Sequence, residues 1–313
     1  MPKNALFIFF LPFLSLLAAC EREARIDLET LPPELVVIAN FSDLDTMEVV
    51  VSKTRPVLEE QDVEYVSDAV VEVFIDGFFA DRLEYVSSPV PQIPGYYLSS
   101  GVVAREKRHY RLTVDAPGFE RAEAECTMPV PAGIDTGFTS LLIEKHEVDE
   151  DYNLATITVR VKVLDPEPAL NYYHLNFYQE GFDLSIQPTG DTLRTAFYSL
   201  PLITTSNDDA IPVVPYIDNR GVLFTDDALS GNDGELSFSC SFQYRRSDQE
   251  LSDFIIELRS VSPEYYLFHR SLALQYISGL DPFSEPVILY TNVKNGNGVF
   301  AGFISRFYRV EIK

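Results

Sequence analysis

The chain has 313 residues, 46% of them apolar, with 48 acidic against 24 basic side chains and a net charge of −24. That apolar fraction supplies a proper core and excludes a disordered tail, and the length suggests about two domains. A body this anionic repels phosphate backbones and anionic headgroups, which excludes nucleic acid as a partner and excludes charge as a way of holding a membrane.

Residues 1–19 open on a cationic start at Lys3 and run apolar from Ala5 to Ala19, interrupted by Pro12 and Ser15. A spanning helix needs about 20 apolar residues, so this run is too short to cross a bilayer and has the flanks of a secretory segment. Leu17-Ala18-Ala19-Cys20 resembles a bacterial lipobox. The resemblance implies a lipoprotein signal peptide over residues 1–19 and a lipid on Cys20. Residues 20–33 are polar, acidic and end in Pro32-Pro33, which reads as a tether. Fully extended it spans at most about 40 Å, at about 3.3 Å per residue. Glu21 and Glu23, directly after the cysteine, resemble the export signal of surface lipoproteins in Bacteroidota-type bacteria. That implies the outer membrane, with the cell surface favoured over the periplasmic face.

Residues 34–129 show period-two apolar patterning broken by turns. Residues 35–39 and 47–51 are β-branched runs, and Val71, Val73 and Ile75 lead into Asp76-Gly77, a dipeptide that favours a tight hairpin. Residues 96–98 and 110–114 follow. Six or seven short strands in about 100 residues predict an immunoglobulin-like sandwich, without the cysteine–tryptophan–cysteine pattern of antibody domains. Pro129-Val130-Pro131-Ala132-Gly133 marks the boundary, because proline cannot donate to a strand ladder.

Residues 130–313 predict an antiparallel β domain carrying one helix. Ile157, Val159, Val161 and Val163 alternate with polar residues, as do Leu236, Phe238, Cys240, Phe242 and Tyr244. Residues 172–178, 193–198, 222–225 and 254–258 are further strand candidates. The helix is placed near 263–277. Ser262 suits its cap, Pro263 its first position and Glu264 its positive end. Tyr265, Phe268, Leu272 and Tyr276 fall on one face, and Gly279 and Pro282 end it. The final segment, with Ile304, Arg306, Tyr308, Val310 and Ile312 on one face, is apolar enough to belong inside a sheet.

Little catalytic chemistry is visible. The chain lacks G-x-S-x-G, H-E-x-x-H, a phosphate-binding G-x-x-x-x-G-K and C-x-x-C. His109, His146, His174 and His269 stand apart from one another, and His269 reads as a solvent or packing residue of the helix. Cys126 and Cys240 sit on apolar faces as free core thiols. The stretch from Asp149 begins like a calcium loop but has Leu154 where glycine is required and Arg160 where a bidentate acid is required, so an EF-hand is excluded. A looser cation site at Glu147, Asp149 and Asp151 competes with a solvated hairpin. Asp226, Asp227, Asp233 and Glu235 read as turn decoration. Of the aromatic pairs Phe78-Phe79, Tyr96-Tyr97, Tyr172-Tyr173 and Tyr265-Tyr266, one member of each is expected in the core and one at its rim. No catalytic residue, metal ligand or cofactor is assigned; the one site residue is Cys20.

Asp281-Pro282-Phe283-Ser284-Glu285-Pro286, followed by Tyr290-Thr291-Asn292-Val293-Lys294-Asn295-Gly296-Asn297-Gly298-Val299-Phe300-Ala301-Gly302, resembles the C-terminal signature of the DUF4249 family of Bacteroidota lipoproteins. Phe224-Thr225-Asp226-Asp227 resembles the family's preceding acidic segment. The resemblance implies a non-enzymatic accessory or binding lipoprotein of the outer membrane, associated with a TonB-dependent transporter barrel. A surface hydrolase with a spatially assembled site and a structural or assembly lipoprotein are the alternatives. The motif's Asn-Gly pairs read as turn chemistry that fixes the fold.

Overall fold

The computed structural model describes residues 32–55, 62–90, 93–165, 170–209, 211–230, 233–279 and 284–311. The signal peptide, Cys20, most of the tether and the Asp281-Pro282-Phe283 part of the motif lie outside the described residues. The described chain is mostly β with one long helix.

Seven strands come first: β1 (Leu35–Ser42), β2 (Thr46–Lys53), β3 (Val70–Ile75), β4 (Phe78–Val86), β5 (Tyr96–Val103), β6 (His109–Asp115) and β7 (Ala122–Thr127). Alternation of buried apolar residues builds them, as in β1, where Leu35, Val37, Ala39 and Phe41 point inward. Asp76 and Gly77 both take positive φ, at 51° and 84°, and turn β3 into β4 as the dipeptide predicts. Next come β8 (Gly133–Ile134), β9 (Ser140–Glu147), β10 (Tyr152–Leu164), β11 (Tyr172–Ile186), β12 (Thr192–Pro201), β13 (Ile203–Ser206), β14 (Val214–Pro215), β15 (Val222–Thr225), β16 (Glu235–Arg245) and β17 (Gln249–Val261). The helix α1 (Pro263–Gly279) and the strand β18 (Asn297–Glu311) complete the chain.

Two sheets result. The larger runs β14-β15-β11-β17-β18-β1-β2-β5-β4-β3-β6-β7, with β12 also on β11; the smaller runs β13-β16-β10-β8, with β9 also on β10. β18 lies between β17, antiparallel, and β1, parallel. It is paired on both sides, as its apolar pattern predicts. The first strands curl until β7 meets the segment before β18, where Glu123 and Lys294 exchange backbone hydrogen bonds of 3.1 and 2.7 Å.

Among the described residues the two largest of three apolar clusters form the main cores. One gathers Val37, Phe41, Val49, Val73, Tyr110, Leu112 and Cys126 from the first seven strands, with Phe300 and Ile304 from β18. The other lies between the two sheets and holds Ile157, Val159, Val161, Phe177, Phe238, Cys240 and Ile256. Cys126 and Cys240 are thus free thiols in separate cores, and burial pushes each up to about 12.

The helix begins as its sequence predicts: the Tyr265 amide donates to Ser262 Oγ at 3.3 Å. Its buried face differs from the expected stripe. Tyr265, Phe268, His269 and Ala273 are buried, whereas Tyr276 is 47% exposed and donates from its hydroxyl to Asp218. The helix runs on to Gly279, and its last turn leaves the core.

Candidate functional site

Three places gather chemistry: a polar ladder beneath α1, the asparagine-rich motif, and the surface around β11 and β12. The ladder arises because both faces of the central strands are covered. On β11, Tyr173, Leu175 and Phe177 enter the core between the sheets, so His174, Asn176 and Tyr178 point to the opposite face. On β17, Glu257 and Arg259 alternate with Ile256 and Leu258 in the same way. Register sets His174 opposite Arg259, Arg259 opposite Ser305, and Asn176 opposite Glu257. The helix then lays Tyr265 and His269 over them.

Every polar atom of Glu257 has a partner. Arg259 donates Nε to Oε1 at 2.7 Å and Nη2 to Oε2 at 3.0 Å. Ser305 Oγ donates to Oε1 at 2.7 Å, and Tyr178 and Asn176 donate to Oε2 at 2.9 and 3.2 Å. Burial pushes the Glu257 carboxyl up, but Arg259 and these hydrogen bonds outweigh it and hold the group below its ordinary value. Arg259 also reaches Tyr265 Oη at 3.3 Å and lies over the Phe303 ring at 4.8 Å.

Both histidines of this face are packed inside. His174 Nδ1 meets Tyr265 Oη at 3.0 Å. Gly221, at φ +93°, closes over the other ring nitrogen; a Cβ there would sit 3.1 Å from His174 Nε2 and 2.3 Å from Asn176 Oδ1. Only glycine lets the backbone come this close. His269 pairs Nδ1 with Tyr216 Oη at 3.1 Å and Nε2 with Asn40 Oδ1 at 3.3 Å, tying α1 to β1. Of the two roles expected for it, His269 takes the packing one. Burial, and then the Arg259 charge, hold His174 well below its ordinary value and bring His269 down to about 4.

These depressed values carry a pH dependence. An unfolded histidine titrates near 6.5 and binds a proton that the folded His269 refuses until about pH 4. The stabilisation is therefore whole above pH 6.5 and is lost as pH falls toward 4, by about 3 kcal/mol for His269 alone. Urea midpoints measured from pH 7 to pH 4.5 are expected to fall, and His269→Gln to flatten the slope. Equal slopes in the two proteins would refute this account of His269.

The motif residues brace the fold. Asn292 accepts from the Phe300 amide at 3.0 Å and donates to Phe300 and Glu125 carbonyls at 2.8 and 3.0 Å. Asn295 donates to the Arg121 carbonyl at 3.1 Å, and Asn297 to Glu34 Oε2 at 2.7 Å. Gly298, at φ +110°, leaves room for β1, since a Cβ would lie 2.1 Å from the Val37 carbonyl oxygen. The motif thus fastens β7 and β1 to β18.

The acidic loops also have structural partners. Asp149 Oδ1 accepts two backbone amides of its own turn at 2.8 Å. Arg246 donates to Glu147 at 2.7 Å and to the Asp149 and Glu150 carbonyls at 2.5 and 2.6 Å. A guanidinium therefore sits against the residues weighed as a loose cation site. Asp226 accepts from the Asn171 amide at 2.8 Å, and Asp233 pairs with Lys162. His109 and His146 lie on the surface beside Glu125 and Glu144. Among the described residues no group of His, Cys, Asp or Glu is placed to hold a metal ion.

Tyr97, Tyr173 and Tyr265 are the buried members of their pairs, with Tyr96, Tyr172 and Tyr266 half-buried. Phe78 and Phe79 are both exposed, at the tip of the β3–β4 hairpin. A crevice of about 360 Å³ runs between Thr127, Pro129, Leu170 and Tyr172 and the start of α1 at Ser262 and Pro263. Along β12 every residue is exposed except the half-buried Tyr198.

The ladder escaped the sequence reading, although Glu257 and Arg259 inside an otherwise apolar run were a usable signal. Charges placed two apart in such a run share one face and need a buried partner.

A protein-family model described as Domain of unknown function (DUF4249) matches residues 21–306. No curated protein matches the chain. Among solved structures, one titled "Biofilm associated protein - B domain" aligns over 87% of this chain and 85% of that chain, at 6% identity and a TM-score of 0.16, too low to carry an argument.

Proposed function

The chain belongs to the DUF4249 family, and on that premise we propose that it is a lipid-anchored accessory or binding lipoprotein of a Bacteroidota-type outer membrane. It works beside a TonB-dependent transporter barrel and performs no catalysis. Cys20 carries the lipid, since a body of net charge −24 gains nothing from anionic headgroups.

The observation that supports the non-catalytic part is the state of the buried histidines and thiols. His174 and His269 are buried, neutral at pH 7 and engaged with Tyr265, Tyr216 and Asn40. The thiols of Cys126 and Cys240 are buried and protonated. A general base must reach its substrate and a nucleophilic thiol must ionise, and these four groups do neither. The exposed strand β12 favours the assembly alternative.

Co-purification tests the partner. From detergent-solubilised outer membrane, the tagged protein is expected to elute with a β-barrel transporter. Elution without any barrel, in detergents that keep barrels folded, would contradict the reading.

A further inference from the structure

We infer that the outer edge of β12 is a docking edge, which receives an extended, neutral or basic segment of another protein as one more strand. The inference stands on strand geometry and holds whether or not Cys20 is lipidated.

Among the described residues, β12 is paired along one side only, with β11, from Tyr178 opposite Pro201 to Ile186 opposite Thr192. A bulge near Thr195 interrupts this register and leaves Ala196–Pro201 as a regular run facing Tyr178–Asp183. The far side of that run has no strand partner among the described residues and is a ready template for another strand. Apolar side chains flank it: Phe197 is 57% exposed and Leu200 43%. Phe197 rests on Phe182 with ring centroids 5.6 Å apart, so one face offers an aromatic shelf for a neighbouring side chain.

The other sheet margins are protected in recognisable ways. β9, the other free edge of comparable length, carries Glu144, Lys145, His146 and Glu147. β8 and β14 are two residues long and β13 is four. β7 is met by Lys294. Short strands, charges and covering segments all discourage edge pairing. β12 has ten residues and one charge, Arg194, which is held by Glu250 at 2.6 Å.

Charge selects the occupant. A second copy would bring another net charge of −24 against this surface, and an acidic segment would meet the same field. A neutral segment meets no such repulsion and a basic one is attracted, its main chain completing the ladder and its alternate apolar side chains lying beside Phe197, with Leu200 on the opposite face of the strand. This is strand addition, in which main-chain bonds give affinity and side-chain contacts give selectivity.

The test uses the purified full chain and two capped peptides, Lys-Val-Thr-Val-Thr-Val-Lys and its counterpart with glutamate at both ends. Fluorescence anisotropy is expected to show the basic peptide binding at least tenfold more tightly than the acidic one. Amide exchange is expected to slow in β12 on binding. The double variant Phe197→Lys, Leu200→Lys alters two exposed positions and is expected to keep its melting temperature while losing the basic peptide at least tenfold. Sedimentation of the chain alone is expected to give a monomer. Absence of binding, unchanged binding by the double variant, or protection elsewhere than β12 would overturn the inference. So would a dimer abolished by the double variant, which would make the occupant a second copy.

Discussion

Replacing Arg259 by methionine is expected to destabilise the protein by about 3–5 kcal/mol, the cost of leaving a buried carboxylate without its counter-ion. Glu257 is 2% exposed and Arg259 holds both of its oxygens. In Arg259→Met, the remaining donors Ser305, Tyr178 and Asn176 cannot neutralise the charge, so the carboxyl protonates or the helix lifts. At about 2–4 °C per kcal/mol for a body of this size, the melting temperature drops by roughly 6–20 °C. Glu257→Gln combined with Arg259→Met removes both charges and is expected to recover most of the loss. Thermal and urea unfolding of the two single variants and the double give the coupling directly. A loss below about 1 kcal/mol, the range of an exposed ion pair, would mean that the ladder is solvated in solution.

This network explains how the helix is held. An amphipathic helix usually docks through apolar contacts alone. Here α1 places Tyr265 and His269 on a polar stripe, with Phe268 and Ala273 supplying the apolar part. Asn40, Tyr216 and Arg259 come from three separate parts of the chain, so the helix is positioned by directional bonds.

The elements were legible wherever local chemistry decides them. A β-branched run marked β1, alternation marked β10 and β16, Asp76-Gly77 marked its hairpin, and Ser262-Pro263-Glu264 marked the helix start. What local chemistry does not encode is which strands meet. β1 and β18 pair in parallel, with Val36 opposite Asn297 across most of the chain length. A strand buried on both sides announces its burial but not its neighbour. The helix face was misjudged at Tyr276 because periodicity assumes that the whole helix rests on the core, and the final turn does not. The ladder was missed because residues 172–178 and 254–258 were read only as strand candidates, with no partner assigned to their polar positions, which α1 covers. The asparagine–glycine motif was read as turn chemistry. Gly298 fits that reading through its positive φ, and Asn292 and Asn295 add side-chain bonds to β7 that no turn rule contains.

The second large effect concerns where the protein resides. Leu17-Ala18-Ala19-Cys20 supplies the sulfur to which the proposed lipid is attached. No helix among the described residues is long and apolar enough to cross a membrane. One acyl chain holds a protein only marginally, whereas two or three make the attachment stable, so loss of the sulfur is expected to release nearly all of it. A lipid on Cys20 also places the anionic body at the end of residues 21–33, within about 40 Å of the bilayer at about 3.3 Å per residue.

The most direct measurement is fractionation of cells expressing the natural chain or Cys20→Ser, with inner and outer membranes separated by density. The natural protein is expected in the outer-membrane fraction and the serine variant is expected to be absent from it. Recovery of both proteins in the outer membrane in equal proportion would contradict the account.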